Sequence, residues 1–219
     1  MLDLGCGSGV ITAELAETVG GSTFGLDINL DILEIAAQTA PAAVYSAGDA
    51  HFLPFKSSTF DFCICHYLLL WLKEPLFALR EMMRVTTEGG AVLILAEPDY
   101  GGRIDYPHKF EIISEWQTTS LENQGANPLM GRELRALLQY AGFTNIEVGV
   151  IGALWNRPPS QAELRSEWEI IEFDYEYLDK PTKNSVTLEK IKAEELAAWA
   201  IGERIVYVPT FYAWGRIAK

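Results

Sequence analysis

No run of about 18 uninterrupted apolar residues occurs anywhere in the chain, so no membrane-spanning helix and no membrane partner is expected. The N-terminus lacks a basic segment followed by an apolar stretch, which argues against a secretion signal. Cysteine is scarce. Cys6, Cys63 and Cys65 are an odd set of three, which excludes a closed disulfide framework and points to a reducing, cytoplasmic setting. Cys63 and Cys65 stand too close together, with too few partners elsewhere, to read as a zinc site, so all three read as small buried apolar residues and no metal is expected. Positive charge is also short: 17 Lys and Arg against 30 Asp and Glu give a net charge of −13. A nucleic-acid surface is built on basic side chains that neutralise phosphate, so this balance disfavours a nucleic-acid partner. Much of the acid excess falls on Glu163, Glu167, Glu169, Glu172, Asp174, Glu176 and Asp179, a spacing that reads as a solvated helix face.

What is present in quantity is apolar side chain, 49% of 219 residues, enough for the core of one domain spanning 1–219. Through residues 1–96 short apolar runs alternate with helical patterns. Leu2–Leu4, Thr23–Asp27, Ala43–Ser46, Phe60–His66 and Ala91–Ala96 read as strands. Between them Ile11, Leu15 and Val19 recur at helical spacing. Asn29 can cap a helix with the stripe Ile32, Ile35, Ala36 and Thr39, and Pro75 opens one carrying Leu76, Leu79 and Met83. The alternation predicts a parallel sheet with helices on both faces, whose ligands bind beyond the carboxyl ends of the strands. Beyond Glu97 the pattern reads as a loop over 98–107 and helices near 108–123, 131–141, 164–178 and 186–201. Strand-like segments follow at 144–152 and 206–217.

Gly5, Gly7 and Gly9 fall between the first strand and the first helix, where bare backbone turns sharply and approaches a ligand closely. The dinucleotide fingerprint needs glycine or alanine at position 10, which is Val10, and the Gly-Lys-Ser/Thr of a phosphate loop is missing. Asp27 ends the second strand about twenty residues on, where a carboxylate can accept from both hydroxyls of a ribose. Asp49, in Gly48-Asp49-Ala50, can accept from an adenine amine while the next backbone N–H donates to the ring. Together they suit the two ends of an adenosine.

These motifs resemble the class I S-adenosylmethionine-dependent methyltransferases, in the small-molecule-type, methyltransferase type 11-like branch. The matching segments are Leu2-Asp3-Leu4-Gly5-Cys6-Gly7-Ser8-Gly9, Gly25-Leu26-Asp27, Gly48-Asp49-Ala50 with Leu53-Pro54-Phe55 behind it, and Phe60-Asp61. Arg84-Val85-Thr86-Thr87-Glu88-Gly89-Gly90 is similar to the family's turn before strand five, and Gly131-Arg132-Glu133-Leu134 and Ala141-Gly142-Phe143 are similar further on. The resemblance implies a Rossmann-like fold: a doubly wound, mostly parallel seven-stranded sheet with the last strand antiparallel. The helices that usually precede the first strand are absent, since Met1 stands inside that strand. It also implies S-adenosylmethionine as cofactor. Asp3 would order the turn and a water near the sulfonium, and Gly5, Cys6 and Gly7 would line the methionine portion. Asp27 would hold the ribose, Ile28 would pack on adenine, Asp49 and Ala50 would read the adenine edge, and His66 would sit beside the methionine portion or near the transferred methyl.

Residues 1–96 would then form the cofactor core, with 97–130 and 152–203 as helical acceptor-site and lid segments. His66, His108 and Glu97 are candidates for a general base by position. Tyr100, Tyr106, Trp116, Trp155, Trp168, Tyr175 and Trp199 read first as the core of the lid and second as surfaces for stacking on an acceptor, with Tyr100, Tyr106, Trp116 and Trp155 as the substrate-site candidates. The motifs of amino-directed and cytosine-C5 nucleic-acid methyltransferases are missing, so the expected partner is a small-molecule acceptor. A non-catalytic or truncated cofactor-binding module, an RNA or protein methyltransferase and a nucleotide-dependent oxidoreductase remain as alternatives.

Overall fold

The apolar runs with polar punctuation at the centre of the sheet, Leu2–Leu4 and most of Phe60–Cys65 and Thr86–Pro98, are buried strands. The computed structural model describes residues 1–19, 21–152, 158–178 and 188–218. The first stretch runs β1 (Leu2–Leu4), α1 (Val10–Val19), β2 (Phe24–Asp27), α2 (Leu30–Thr39), β3 (Val44–Ala47), β4 (Phe60–Cys65), α3 (Pro75–Val85) and β5 (Thr86–Pro98). Then come β6 (Ile104–Tyr106), α4 (Glu111–Asn123), α5 (Met130–Ala141), β7 (Thr144–Val150), α6 (Gln161–Glu176), α7 (Leu188–Ala200), β8 (Ile205–Tyr207) and β9 (Thr210–Arg216).

Seven strands form one sheet in the order β3-β2-β1-β4-β5-β9-β7. The pairs β1–β2, β1–β4, β2–β3 and β4–β5 are parallel, and β9 runs antiparallel to β7. This is the expected Rossmann-like sheet. The chain steps outward from β1 to β3 on one side, then restarts at β4 on the other, so the order reverses between β1 and β4. Such a switch point leaves a crevice at the carboxyl ends of the two strands. Leu2, Leu4, Cys63, Ile64, Cys65, Val92 and Ile94 are all buried, as central parallel strands require. α3 anchors the segment behind β3. Arg84 donates to the carbonyls of Phe55 (2.8 Å) and Leu53 (3.0 Å), and Glu81 accepts from the Leu53 N–H (2.9 Å), which ties Leu53-Pro54-Phe55 to the helix.

Four local expectations need correction. The buried face of α2 is Leu33 and Ala36, with Ala40 just beyond it, while Ile35 and Thr39 are exposed. β5 begins at Thr86 rather than Ala91, passing through Gly89 at φ 74°. The loop expected over 98–107 contains β6. The final strand-like segment splits at Val208-Pro209 into β8, paired with β6 in a separate ribbon, and β9 in the main sheet.

The chain divides into two compact units: Met1–Glu97, Met130–Val150 and Thr210–Lys219 in the first, Pro98–Leu129 and Ile151–Pro209 in the second. The second unit has its own core of Phe110, Ile113, Trp116, Trp168, Ile171, Leu178, Ile191 and Ala198. Beside it lies a buried ionic network in which Asp105 bridges Arg103 and Arg204, and Arg204 also meets Glu195 (2.7 Å). The acidic stretch is only partly a solvated face. Asp174 is buried, accepting from Ser120 (2.9 Å) and Gln117 (3.3 Å), and Glu172 pairs with Lys192. Asp179 lies outside the described residues. No helix among the described residues is long and apolar enough to cross a membrane.

Gly131 opens α5 where the helix meets the sheet. A Cβ there would lie 2.6 Å from the Phe211 ring and 2.8 Å from the Glu97 carbonyl oxygen. Backbone cannot yield as a side chain can, so Gly131→Ala is expected to cost about 1–3 kcal/mol and to lower Tm by roughly 2–4 °C per kcal/mol. Thermal denaturation followed by circular dichroism checks this, and an unchanged Tm contradicts the close approach.

Candidate functional site

The carboxyl ends of β1, β2, β3 and β4 lie along one edge, and the segments leaving them build the site. After Leu4 the chain reverses: the N–H groups of Gly5 and Cys6 both donate to the Leu26 carbonyl, at 2.7 and 3.1 Å. Gly5, Gly7 and Gly9 all take positive φ, of 70°, 50° and 80°. Their roles differ. A Cβ on Gly9 would meet the Ala36 Cα at 3.0 Å and one on Gly5 the Leu68 side chain at 2.8 Å, so both are packing positions. A Cβ on Gly7 would meet nothing within 4 Å. That open side faces a cavity of about 290 Å³ lined by Asp3, Gly5, Cys6, Gly7, Ser8, Val10, Ile11 and His66.

Asp3, on β1, is buried and accepts from the Thr12 hydroxyl on α1 at 2.6 Å, which fastens helix to strand beneath the turn. Burial pushes its carboxyl up to about 6; the Thr12 bond opposes this and the Asp27 charge adds to it. Asp27 accepts the Gly7 N–H on Oδ2 (2.9 Å) and the Asn29 N–H on Oδ1 (3.0 Å). It holds the glycine turn and the entry to α2 at once. Ile28 beside it is 74% exposed, an apolar side chain with no packing of its own. Asp49 accepts on Oδ1 from both the backbone N–H (2.8 Å) and ring Nδ1 (2.7 Å) of His51, and Ala50 is buried behind it. The His51 N–H, then the His51 ring, hold the Asp49 carboxyl below its usual range.

His66 follows β4, and burial lowers its pKa, partly offset by the Glu14 charge. Its ring meets Tyr67 edge-on at 4.7 Å. Glu97, a candidate base by position, is fully buried. Its oxygens accept the N–H groups of Leu68 (2.9 Å), Leu69 (2.7 Å) and Leu70 (3.2 Å). This carboxylate anchors the backbone that follows β4. His108 lies in the second unit, exposed and bonded to Glu111 at 2.7 Å. In the same unit Trp116 is 1% exposed, packed edge-on against Tyr175, and is core rather than a stacking surface. Tyr106 is half exposed, and Tyr100 lines a cavity of about 430 Å³ with Arg103, Asp105, Ser114 and Thr118. Trp155 lies outside the described residues.

Sequence reasoning missed Thr12, His51 and Tyr67. Only His51 left a local signal, two residues after an aspartate, the spacing at which a carboxylate caps a turn. Tyr67 takes φ 51°, a conformation uncommon for an aromatic residue and one that gathers at functional sites. Among the described residues no group of three or more His, Cys, Asp or Glu side chains is placed to hold a metal ion.

A sheet that reverses between β1 and β4, a glycine turn opening on a cavity and carboxylates after β2 and β3 define a Rossmann-like domain of the class I methyltransferase type. A family profile described as a methyltransferase domain matches residues 2–94. Demethylmenaquinone methyltransferase of Geobacillus stearothermophilus is 30% identical over 167 residues, covering 67% of this chain and 71% of that one. An uncharacterized methyltransferase of Schizosaccharomyces pombe is 32% identical over 148 residues, covering 62% of this chain and 53% of that one, so the chain spans about half of that relative's length. Among solved structures, phosphoethanolamine N-methyltransferase 2 of Haemonchus contortus, in complex with phosphomonomethylethanolamine and S-adenosylhomocysteine, superposes with a TM-score of 0.62 at 19% identity. It covers all of this chain and 49% of that one. The chain belongs to the class I S-adenosylmethionine-dependent methyltransferases.

Replacing Glu97 by Gln leaves at least one Leu amide facing a donor, with an expected loss of about 1–3 kcal/mol. Burial raises the Glu97 carboxyl from its ordinary 4.5 to about 7. The native state therefore keeps a proton across that window that the unfolded chain has released, so wild-type stability falls as pH rises through it. Uncharged Gln lacks this fall. The penalty of Glu97→Gln, read from urea denaturation, is expected to be larger at pH 5 than at pH 8; equal penalties contradict the raised carboxyl.

Proposed function

We propose that this chain transfers a methyl group from S-adenosylmethionine to a small-molecule acceptor in the cytoplasm. The observation that carries the reading is the cavity beneath the Gly7 turn, walled by Asp3 and His66, with Asp27 and Asp49 at the same sheet edge.

The donor set fits the cofactor. Gly7 offers bare backbone where a side chain would intrude. Each Asp27 oxygen spends one lone pair on a backbone N–H and keeps another for a ribose hydroxyl. Ile28 supplies an apolar face for adenine, and Asp49 with the Ala50 N–H supplies an acceptor and a donor for its edge. Asp3 places negative charge by the cavity, suited to the methionine ammonium and the sulfonium. S-adenosylmethionine supplies a methyl already activated on a cationic sulfur. The protein's tasks are then to hold the acceptor in line at about 3–3.5 Å and to keep water out. His66, kept neutral by partial burial, is the group assigned to take the acceptor's proton where one leaves at or before transfer. Acceptor choice is assigned to the second unit, residues 98–129 and 151–209. The demethylmenaquinone methyltransferase relative supports a small molecule as acceptor.

At a hundredfold excess over Kd, S-adenosylmethionine or S-adenosylhomocysteine is expected to stabilise the protein by about 2.7 kcal/mol, read as a thermal shift. Asp27→Ala is expected to weaken binding by roughly 30- to 150-fold, two lost hydrogen bonds at about 1–1.5 kcal/mol each. A full shift in the variant removes Asp27 from the site, and binding without transfer to any acceptor leaves a non-catalytic module.

Asp3 gives a pH signature. Its carboxyl, raised from 3.8 to about 6, ionises more readily beside a bound cation, so S-adenosylmethionine affinity is expected to rise between pH 5 and pH 7. Asp3→Asn is expected to flatten that rise. A wild-type affinity that stays level or falls over the interval, in calorimetric titrations, contradicts the placement.

A further inference from the structure

We propose that His51 is a positioning residue for nucleobase recognition: its ring fixes one oxygen of Asp49 so that the other is presented to the exocyclic amine of an adenine. The inference rests on the S-adenosylmethionine reading above and adds a residue to it.

Asp49 closes a tight turn after β3, in which the Phe52 N–H donates to the Asp49 carbonyl at 3.0 Å. Within that turn a single oxygen, Oδ1, carries both bonds from His51, at 2.8 Å from the backbone N–H and 2.7 Å from ring Nδ1. One donor would leave the carboxylate free to rotate about its bond axis. Two donors on the same oxygen, one from the main chain and one from a ring, fix the carboxylate plane. No bond to Oδ2 forms among the described residues, although the side chain is 45% exposed.

The other ring nitrogen explains why the arrangement has one sense. His51 Nε2 is buried and meets no partner among the described residues. A proton there would be a buried, unpaired donor, and Nδ1 would turn its lone pair on a carboxylate oxygen 2.7 Å away. The proton therefore resides on Nδ1 and points at Asp49. The His51 side chain is 22% exposed and lines a cleft of about 380 Å³ with Phe52 of the same turn and with Lys73, Glu74 and Phe77 from α3 and the segment before it.

The consequence is chemical. A carboxylate fixed on Oδ1 offers only an acceptor at Oδ2, which pairs with an amine and opposes a carbonyl. A site built to bond one such group rejects the analogue that lacks it far more strongly than an apolar pocket can. His51 thus determines selectivity for a 6-amino over a 6-oxo purine, without touching the ligand.

The test is isothermal titration of the full chain with S-adenosylhomocysteine and with S-inosylhomocysteine, the same molecule carrying a 6-oxo purine. Wild type is expected to prefer the amino ligand by at least about tenfold, one charge-assisted hydrogen bond. In His51→Ala the preference is expected to fall several-fold, through weaker binding of the amino ligand, with inosyl affinity changed less than about twofold. His51→Asn, whose amide can donate to Oδ1, is expected to restore most of the preference. His51→Phe keeps the bulk in the cleft without the donor and is expected to behave as His51→Ala, which covers an alanine variant that folds poorly. A preference kept in both His51→Ala and His51→Phe overturns the inference and leaves the S-adenosylmethionine reading intact. Equal weakening of both ligands also overturns it, since that marks general structural support. A wild type that binds neither ligand overturns the S-adenosylmethionine reading, and the inference with it.

Discussion

Backbone N–H groups that leave the end of a parallel strand lose their ladder partners, and in the first unit carboxylates take them up. Asp27 accepts two such groups, from Gly7 and Asn29, and Glu97 accepts three, from Leu68 to Leu70. Asp49 accepts one from His51, and Glu81, a helix residue, accepts one from Leu53. A buried unpaired amide costs more than an ordinary hydrogen bond returns, so each capture fixes a connecting segment that would otherwise need water. The edge where these segments gather is therefore rigid and negatively charged together.

That coupling sets what the edge can hold. Fixing the turn after β1 through Asp27 places the open face of Gly7 over the cavity, and Asp3 beneath it is tied to α1 through Thr12. Burial, with the Asp27 charge adding to it, raises the carboxyl of Asp3. Under the proposed function the same residues serve folding and recognition, and the two roles do not separate cleanly by substitution. Glu97 illustrates one extreme, entirely occupied by amides. Asp49 lies at the other, with one oxygen still available.

The sheet was largely legible in the sequence because its central strands are buried on both faces and read as unbroken apolar runs between glycine turns and capped helices. Asp27 and Asp49 were legible as carboxylates at strand ends. What escaped was anything decided by tertiary contact. Ile35 has the same hydrophobicity as Leu33, and only the direction of α2 against the sheet exposes the one and buries the other. Val206–Ile217 reads as one strand, yet the chain leaves one sheet and enters another at Val208-Pro209, and β6 has no identity until β8 pairs with it. Glu97 stood at the expected strand end, but its partners are amides 27 to 29 residues away in sequence, invisible to any local pattern. Trp116 carried an aromatic signal that cannot distinguish a stacking platform from a core.

One residue lining the Gly7 cavity carries a thiol. It is Cys6, and burial, followed by the charges of Asp3 and Asp27, pushes that thiol up to about 12. At neutral pH the neutral thiol is favoured over the nucleophilic thiolate. If the proposed cofactor binds there, its electrophilic methyl would lie near a neutral thiol rather than a thiolate. Burial first, and the neighbouring carboxylates after it, hold that sulfur in its unreactive form.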